Sequence, residues 1–117
     1  MLNQTDNNIY TLERSYLPLA KKNFIKIFKV SGFDKATDIS SMDSIKNKDV
    51  KLLNKELVLD FETIIPSLNV KYQTIDNIAG LCFGPLLSNG HQTLLVVSNN
   101  NFSKKQRTQF IAFEIIP

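Results

Sequence analysis

The sequence predicts an all-β chain. Three observations carry that prediction. Its apolar segments are short and rich in Ile, Val, Leu and Phe, residues that suit a pleated surface. An Asn89-Gly90 pair separates two of these segments, as a hairpin turn would, because both residues tolerate positive φ. No stretch carries an unambiguous helical period over the length a helix needs.

About six strands can be marked in order. The opening residues 1–8 are polar where a secretory leader would be basic and then apolar. Residues 9–16 (IYTLERSY) make the first strand by their β-branched and aromatic content. Within it Glu13 and Arg14 are adjacent, so a strand sends them to opposite faces. Residues 22–30 admit two readings. As a strand they hold good β-formers and end at Ser31-Gly32. As a helix they gather Phe24, Ile25, Ile27 and Phe28 opposite Lys22, Lys26 and Lys29, a short basic amphipathic segment of the membrane-surface kind. Propensity over so short a segment favours the strand. Residues 33–49 are polar and turn-like. Residues 50–65 are again split: Leu57, Leu59 and Phe61 alternate, whereas Leu53, Leu57, Phe61 and Ile64 recur at helical spacing. Residues 80–87 and 93–98 flank the Asn-Gly turn, and the second shows so little alternation that both its faces should be covered. Residues 108–115 form the last strand, stopped by Pro117.

At 117 residues the chain has room for one domain at most. Its single cysteine, Cys82, excludes a disulfide framework and a cysteine-based zinc site. A formal charge of +3 is too mild to imply nucleic acid as a partner. No apolar run nears the about 20 residues of a membrane-spanning helix.

Signatures of nucleophilic, metal-dependent and nucleotide-binding sites (G-x-S-x-G, H-E-x-x-H, the P-loop, G-x-G-x-x-G) are missing from the sequence. His91, the sole histidine, reads as a solvated turn residue, and Cys82 as a buried inert thiol. Phe24 and Phe28 among lysines read as a half-exposed strand with a solvated basic face. Asn99-Asn100-Asn101 can order a turn through side-chain-to-backbone bonds; amide oxygens alone are weak ligands for a hard cation.

Several segments together resemble a known family. They are Asp76-Asn77-Ile78-Ala79-Gly80-Leu81, then residues 92–102 (QTLLVVSNNNF), then Gln106-Arg107-Thr108-Gln109-Phe110. Leu12-Glu13-Arg14-Ser15-Tyr16, Ala36-Thr37-Asp38-Ile39-Ser40 and the Lys55-led strand fit in the same order. This set is similar to the C-terminal pattern of the phytase-like propeller family, named for an esterase-like activity of phytase. The resemblance runs from about Ile9 to Ile115 and favours strands in both ambiguous segments.

The resemblance implies a partial β-propeller of about one and a half four-stranded antiparallel blades, with residues 1–117 as one incomplete domain. A propeller needs about four to eight blades, so open sheet edges would await a partner chain or a second copy. It also implies a phosphate- or carboxylic-ester hydrolase as the ancestral activity, and family members are often exported. Glu13, Arg14 and Asp76 become the candidate catalytic groups, and Arg14, Asn77, Asn99, Asn100 and Asn101 the candidate ligand-binding ones. Three positions depart from the family pattern: Ala79 stands where it has Glu, and Asn99 and Asn100 where it has Asp. These changes remove the charge that would hold calcium or act as a base, so no cofactor or metal is expected and catalysis by the chain alone is disfavoured. Restoring the three acids would bring the formal charge from +3 to zero, so the basic balance reflects lost acids better than an acidic partner.

Overall fold

The computed structural model describes residues 2–5 and 7–117; Met1 and Asp6 of the polar opening lie outside the described residues. Seven strands form two antiparallel sheets. β1 (Leu2–Thr5), β2 (Asn8–Leu17), β3 (Lys22–Ser31) and β4 (Asn54–Asp60) make sheet A, in that spatial order. β5 (Asn77–Leu86), β6 (Gln92–Asn99) and β7 (Phe110–Glu114) make sheet B. Each sheet is a simple meander with two unpaired edges.

Residues 22–30 are strand, not helix. The reason is pairing: β3 matches β2 residue for residue from Asn8↔Ser31 to Leu17↔Lys22, satisfying backbone groups that a lone short helix would leave marginal. Both patterns read in residues 50–65 have a physical origin. Asn54–Asp60 is strand, and Asp60 then caps a 3-10 turn over Phe61–Thr63, its Oδ1 accepting from Glu62 N at 3.0 Å. A bulge at Val58 breaks the β3–β4 register. The strand β1 was not expected from its polar composition; backbone pairing with β2 forms it.

The core lies between the sheets. Tyr10, Ile25, Ile27 and Phe61 come from the sheet A side, and Ile78, Leu94 and Val96 from sheet B. Two edge-to-face ring contacts join the layers, Phe61–Phe113 at 5.9 Å and Tyr10–Phe83 at 6.2 Å. Burial pushes the Tyr10 hydroxyl above its ordinary value, and the Glu56 charge adds to this. β6 is the middle strand of sheet B, but the expectation that both its faces are covered is corrected: Leu94, Val96 and Ser98 alternate inward and are buried, as is Thr93 near the strand start, whereas Leu95 and Val97 lie half-buried on the open face. The β5–β6 turn holds Gly90 at φ +84, the conformation expected of the Asn-Gly pair.

The molecule is a plate, 49 × 43 × 24 Å, with a radius of gyration of 17.0 Å. A closed domain of this length would have a radius of about 13 Å. Each sheet has one face on the shared core and one face open.

Candidate functional site

The pleat of β3 sends Ile25 and Ile27 inward and Phe24, Lys26 and Phe28 outward. Pairing sets Ser15, Glu13 and Thr11 of β2 on one side of that outward row, and Asp60 and Leu57 of β4 on the other. Three ion pairs cross this face: Lys22 to Glu62 at 2.6 Å, Lys26 to Asp60 at 3.7 Å and Lys55 to Glu13 at 2.6 Å. Lys22 also stands 4.8 Å from the Phe24 ring, and Lys55 4.1 Å from the Phe28 ring. The result is an open basin of about 540 Å³ with Phe24, Lys26 and Phe28 on its floor and Arg14 and Ser15 on its wall.

The chemistry of the basin follows from these pairings. Glu13, Asp60 and Glu62 are each engaged by a lysine, so none of the three carboxylates points into the basin unpaired. The register sets Glu13 opposite Lys26 and Arg14 opposite Ile25, so the two fall on opposite faces. Among the described residues Arg14 has no ion-pair or hydrogen-bond partner, which leaves its guanidinium free for an anion. Sequence reasoning took Lys22, Lys26 and Lys29 as a solvated basic face and missed the acids that pair with Lys22 and Lys26, and the pairing of Lys55 with Glu13. The alternation Phe-x-Lys-x-Phe was the available sign.

Asp76, Asn77, Asn99, Asn100 and Asn101 gather elsewhere, at one end of sheet B. Asn77 faces Asn99 across the β5–β6 ladder, and its Nδ2 donates to Asn101 Oδ1 at 3.3 Å. Asn101 Nδ2 donates in turn to Gln106 Oε1 at 3.0 Å. Asn99 Oδ1 accepts from Asn101 N at 2.8 Å and Asn100 Oδ1 from Phe102 N at 3.1 Å. These two side-chain turns hold Asn101 and Phe102 at φ 50 and 56. Asp76 Oδ2 accepts from Arg107 N at 2.9 Å, anchoring the loop before β7. Asn77 Oδ1 is the one buried side-chain atom without a partner among the described residues. Ala79 occupies the bulge next to Ile78 and Gly80, so positions 79, 99 and 100 share this end of the sheet. Glu13 and Arg14 share no hydrogen bond or ion pair with this cluster.

A third group surrounds the β5–β6 turn. Glu114 Oε1 accepts from Asn89 Nδ2 at 2.7 Å and lies 2.6 Å from His91 Nδ1. The bonds from Asn89 and His91 hold the Glu114 carboxyl below its ordinary 4.5. His91 is therefore a paired residue, not merely a solvated one. Cys82 corrects another expectation: it is exposed. Its register opposite Leu95 puts it on the face of sheet B turned away from the core. Among the described residues no three His, Cys, Asp or Glu side chains cluster to hold a metal ion. No helix there is long and apolar enough to cross a membrane.

The family model Phytase-like, described as esterase-like activity of phytase, matches residues 1–102. The chain belongs to the phytase-like family. The phytase-like match takes in β1 to β6 and the three-asparagine turn, and ends before Gln106-Arg107-Thr108-Gln109-Phe110. No curated protein and no solved structure matches the chain.

Proposed function

We propose that this chain is a phytase-like propeller module that acts by binding a partner and is not a catalyst on its own. The observation that carries this reading is its exposed surface. The accessible area is 8646 Å², whereas the scaling law for folded monomers gives about 6,450 Å² at 13.3 kDa, an excess of about 2,200 Å². Two stacked antiparallel meanders, of four and three strands, fit one blade and most of a second. Each has a free face and free edges where further blades would pack.

The neutral residues at positions 79, 99 and 100 support the non-catalytic half of the reading. They lie at one end of sheet B, and the side chains of Asn99 and Asn100 close a turn where the family pattern has acids. The test is an assay of the purified chain with phosphomonoesters and carboxylic esters, with and without calcium. No turnover above buffer is expected; calcium-dependent turnover by the chain alone would overturn the reading.

The free guanidinium of Arg14 favours a second reading, in which the chain is the C-terminal part of an ester hydrolase completed by another chain. On that reading a complementary chain restores hydrolysis, and Arg14→Ala raises KM for a phosphate ester in the complex.

A further inference from the structure

We propose that β7 is the docking edge of the molecule and that its partner is β7 of a second copy, paired antiparallel about Ala112. This rests on the partner-binding reading above and names the surface and the occupant.

Unpaired strand edges are normally guarded against association. Three of the four edges here are. β4 carries Lys55 and Glu56 and the bulge at Val58. β5 has Pro85, which offers no N–H, and two breaks in register. β1 has a break between Asn3 and Thr5. β7 has none of these devices. Its register with β6 is unbroken from Phe110 to Glu114, and it contains neither proline nor lysine nor arginine. Its only charge, on Glu114, is held toward the β5–β6 turn by Asn89 and His91.

Hydrogen-bond parity makes the edge self-complementary. Ser98 N donates to Gln109 O and Ile115 N to Gln92 O, both at 2.9 Å. Odd-numbered residues of this strand therefore bond to β6, and Phe110, Ala112 and Glu114 aim their N–H and C=O outward. Antiparallel pairing centred on Ala112 sets Phe110 opposite Glu114 of the second copy, and Ala112 opposite its own equivalent. Those are the pairs that exchange bonds, giving about six across the junction. Ile111 then faces Phe113 of the second copy on the core side. A slip of one residue would turn every side chain to the wrong face.

The surroundings suit the same arrangement. Phe110 is 77% exposed and Ile116 76%, one at each end of the edge. An apolar groove of about 270 Å³ separates Val58 and Leu59 of β4 from Phe113 and Ile115, and a second of about 470 Å³ separates Leu68, Asn69 and Tyr72 from residues 108–112, so open space adjoins both halves of β7.

The test is sedimentation of the full chain from low to high micromolar, with two kinds of variant. The wild-type chain is expected to pass from monomer to dimer. Ala112→Pro removes an outward N–H without losing a bond to β6, and should weaken the dimer at least tenfold while leaving the far-ultraviolet spectrum unchanged. Ala112→Lys should do the same by charge, and serves should proline disturb the strand. In a Cys82→Ser background, Ala112→Cys should give a covalent dimer on mild oxidation, since directly paired residues lie within disulfide reach. Phe110→Cys, which faces Glu114, should not.

A monomer at all concentrations, or equal cross-linking at both positions, overturns the proposal. A dimer indifferent to both position-112 variants also overturns it, while leaving partner binding through another edge intact. Catalysis by the chain alone would instead sink the parent reading.

Discussion

Glu114 draws its two partners from a turn more than twenty residues earlier in the chain, and its charge is tied to the fold. Its carboxyl sits below the ordinary 4.5 in the folded protein, so its contribution is fully present above that value. The contribution is lost as pH falls through the lowered folded value. Glu114→Gln should therefore reduce the urea midpoint at about pH 6, and the difference from the parent should shrink as pH falls below 4.5. Among apolar residues, Phe61 is 1% exposed and meets Phe113 across the layers. Phe61→Ala should cost about 3–5 kcal/mol in urea unfolding. The three neutral positions can be tested by reversal. Ala79→Glu, Asn99→Asp and Asn100→Asp together keep the oxygen acceptors of the turn and restore its charge. The triple variant should gain a calcium-dependent rise in Tm that the parent lacks, read by differential scanning fluorimetry.

At the scale of elements, the close approach of β5 and β6 depends on two glycines. A Cβ at Gly80 would come within 2.5 Å of Val97 Cγ1, and one at Gly84 within 2.5 Å of Thr93 Oγ1. Thr93 Oγ1 donates to Pro85 O at 2.6 Å, so Gly84→Ala also strains that bond. Either substitution should lower stability by about 1–3 kcal/mol in urea unfolding, with Gly84 the more costly. The same elements show what a sequence reveals. β6 was legible as a strand from its run of Leu and Val, but not its surroundings, since Leu95 and Val97 are apolar and yet lie on the open face. The β5–β6 turn was legible because Asn and Gly answer a local backbone demand. The β3 segment was ambiguous because its partner, β2, lies outside any local window. β1 was illegible for the same reason, since its pairing leaves no mark on composition. The candidate residues divided likewise. Asn77, Asn99 and Asn101 meet through a ladder and a turn that local sequence prepares. The pairs Lys55–Glu13 and Lys22–Glu62 span about 40 residues and depend on strand order, which alternation does not encode.

For the whole molecule, a 24 Å plate is the thickness of two stacked sheets and little more. Two layers share one core, and each turns its second face to solvent. Such a plate should bind an apolar dye at its open faces and lose that binding when a partner covers them. Because pairing along β7 extends sheet B in its own plane, fluorescence per chain should stay constant across the chain's own association range and fall only when a face-covering partner is added. A signal that falls as the chain alone is concentrated would mean that its copies associate through their open faces and not along β7.

The Asn89-Gly90 turn has one further consequence, in the chemical lifetime of the protein. An Asn-Gly pair loses ammonia when the glycine nitrogen attacks the asparagine side-chain carbonyl, and the ring formed opens to aspartate or isoaspartate. Here the Gly90 nitrogen donates to Leu87 O at 2.9 Å, and Asn89 Oδ1 is taken by His91 N at 3.0 Å. Both reacting groups are held apart by the turn they build. The folded chain should age slowly at this bond and the unfolded chain quickly. Once formed, a carboxylate at that position would face Glu114 in place of a donor, turning an attraction into a repulsion at the end of β7.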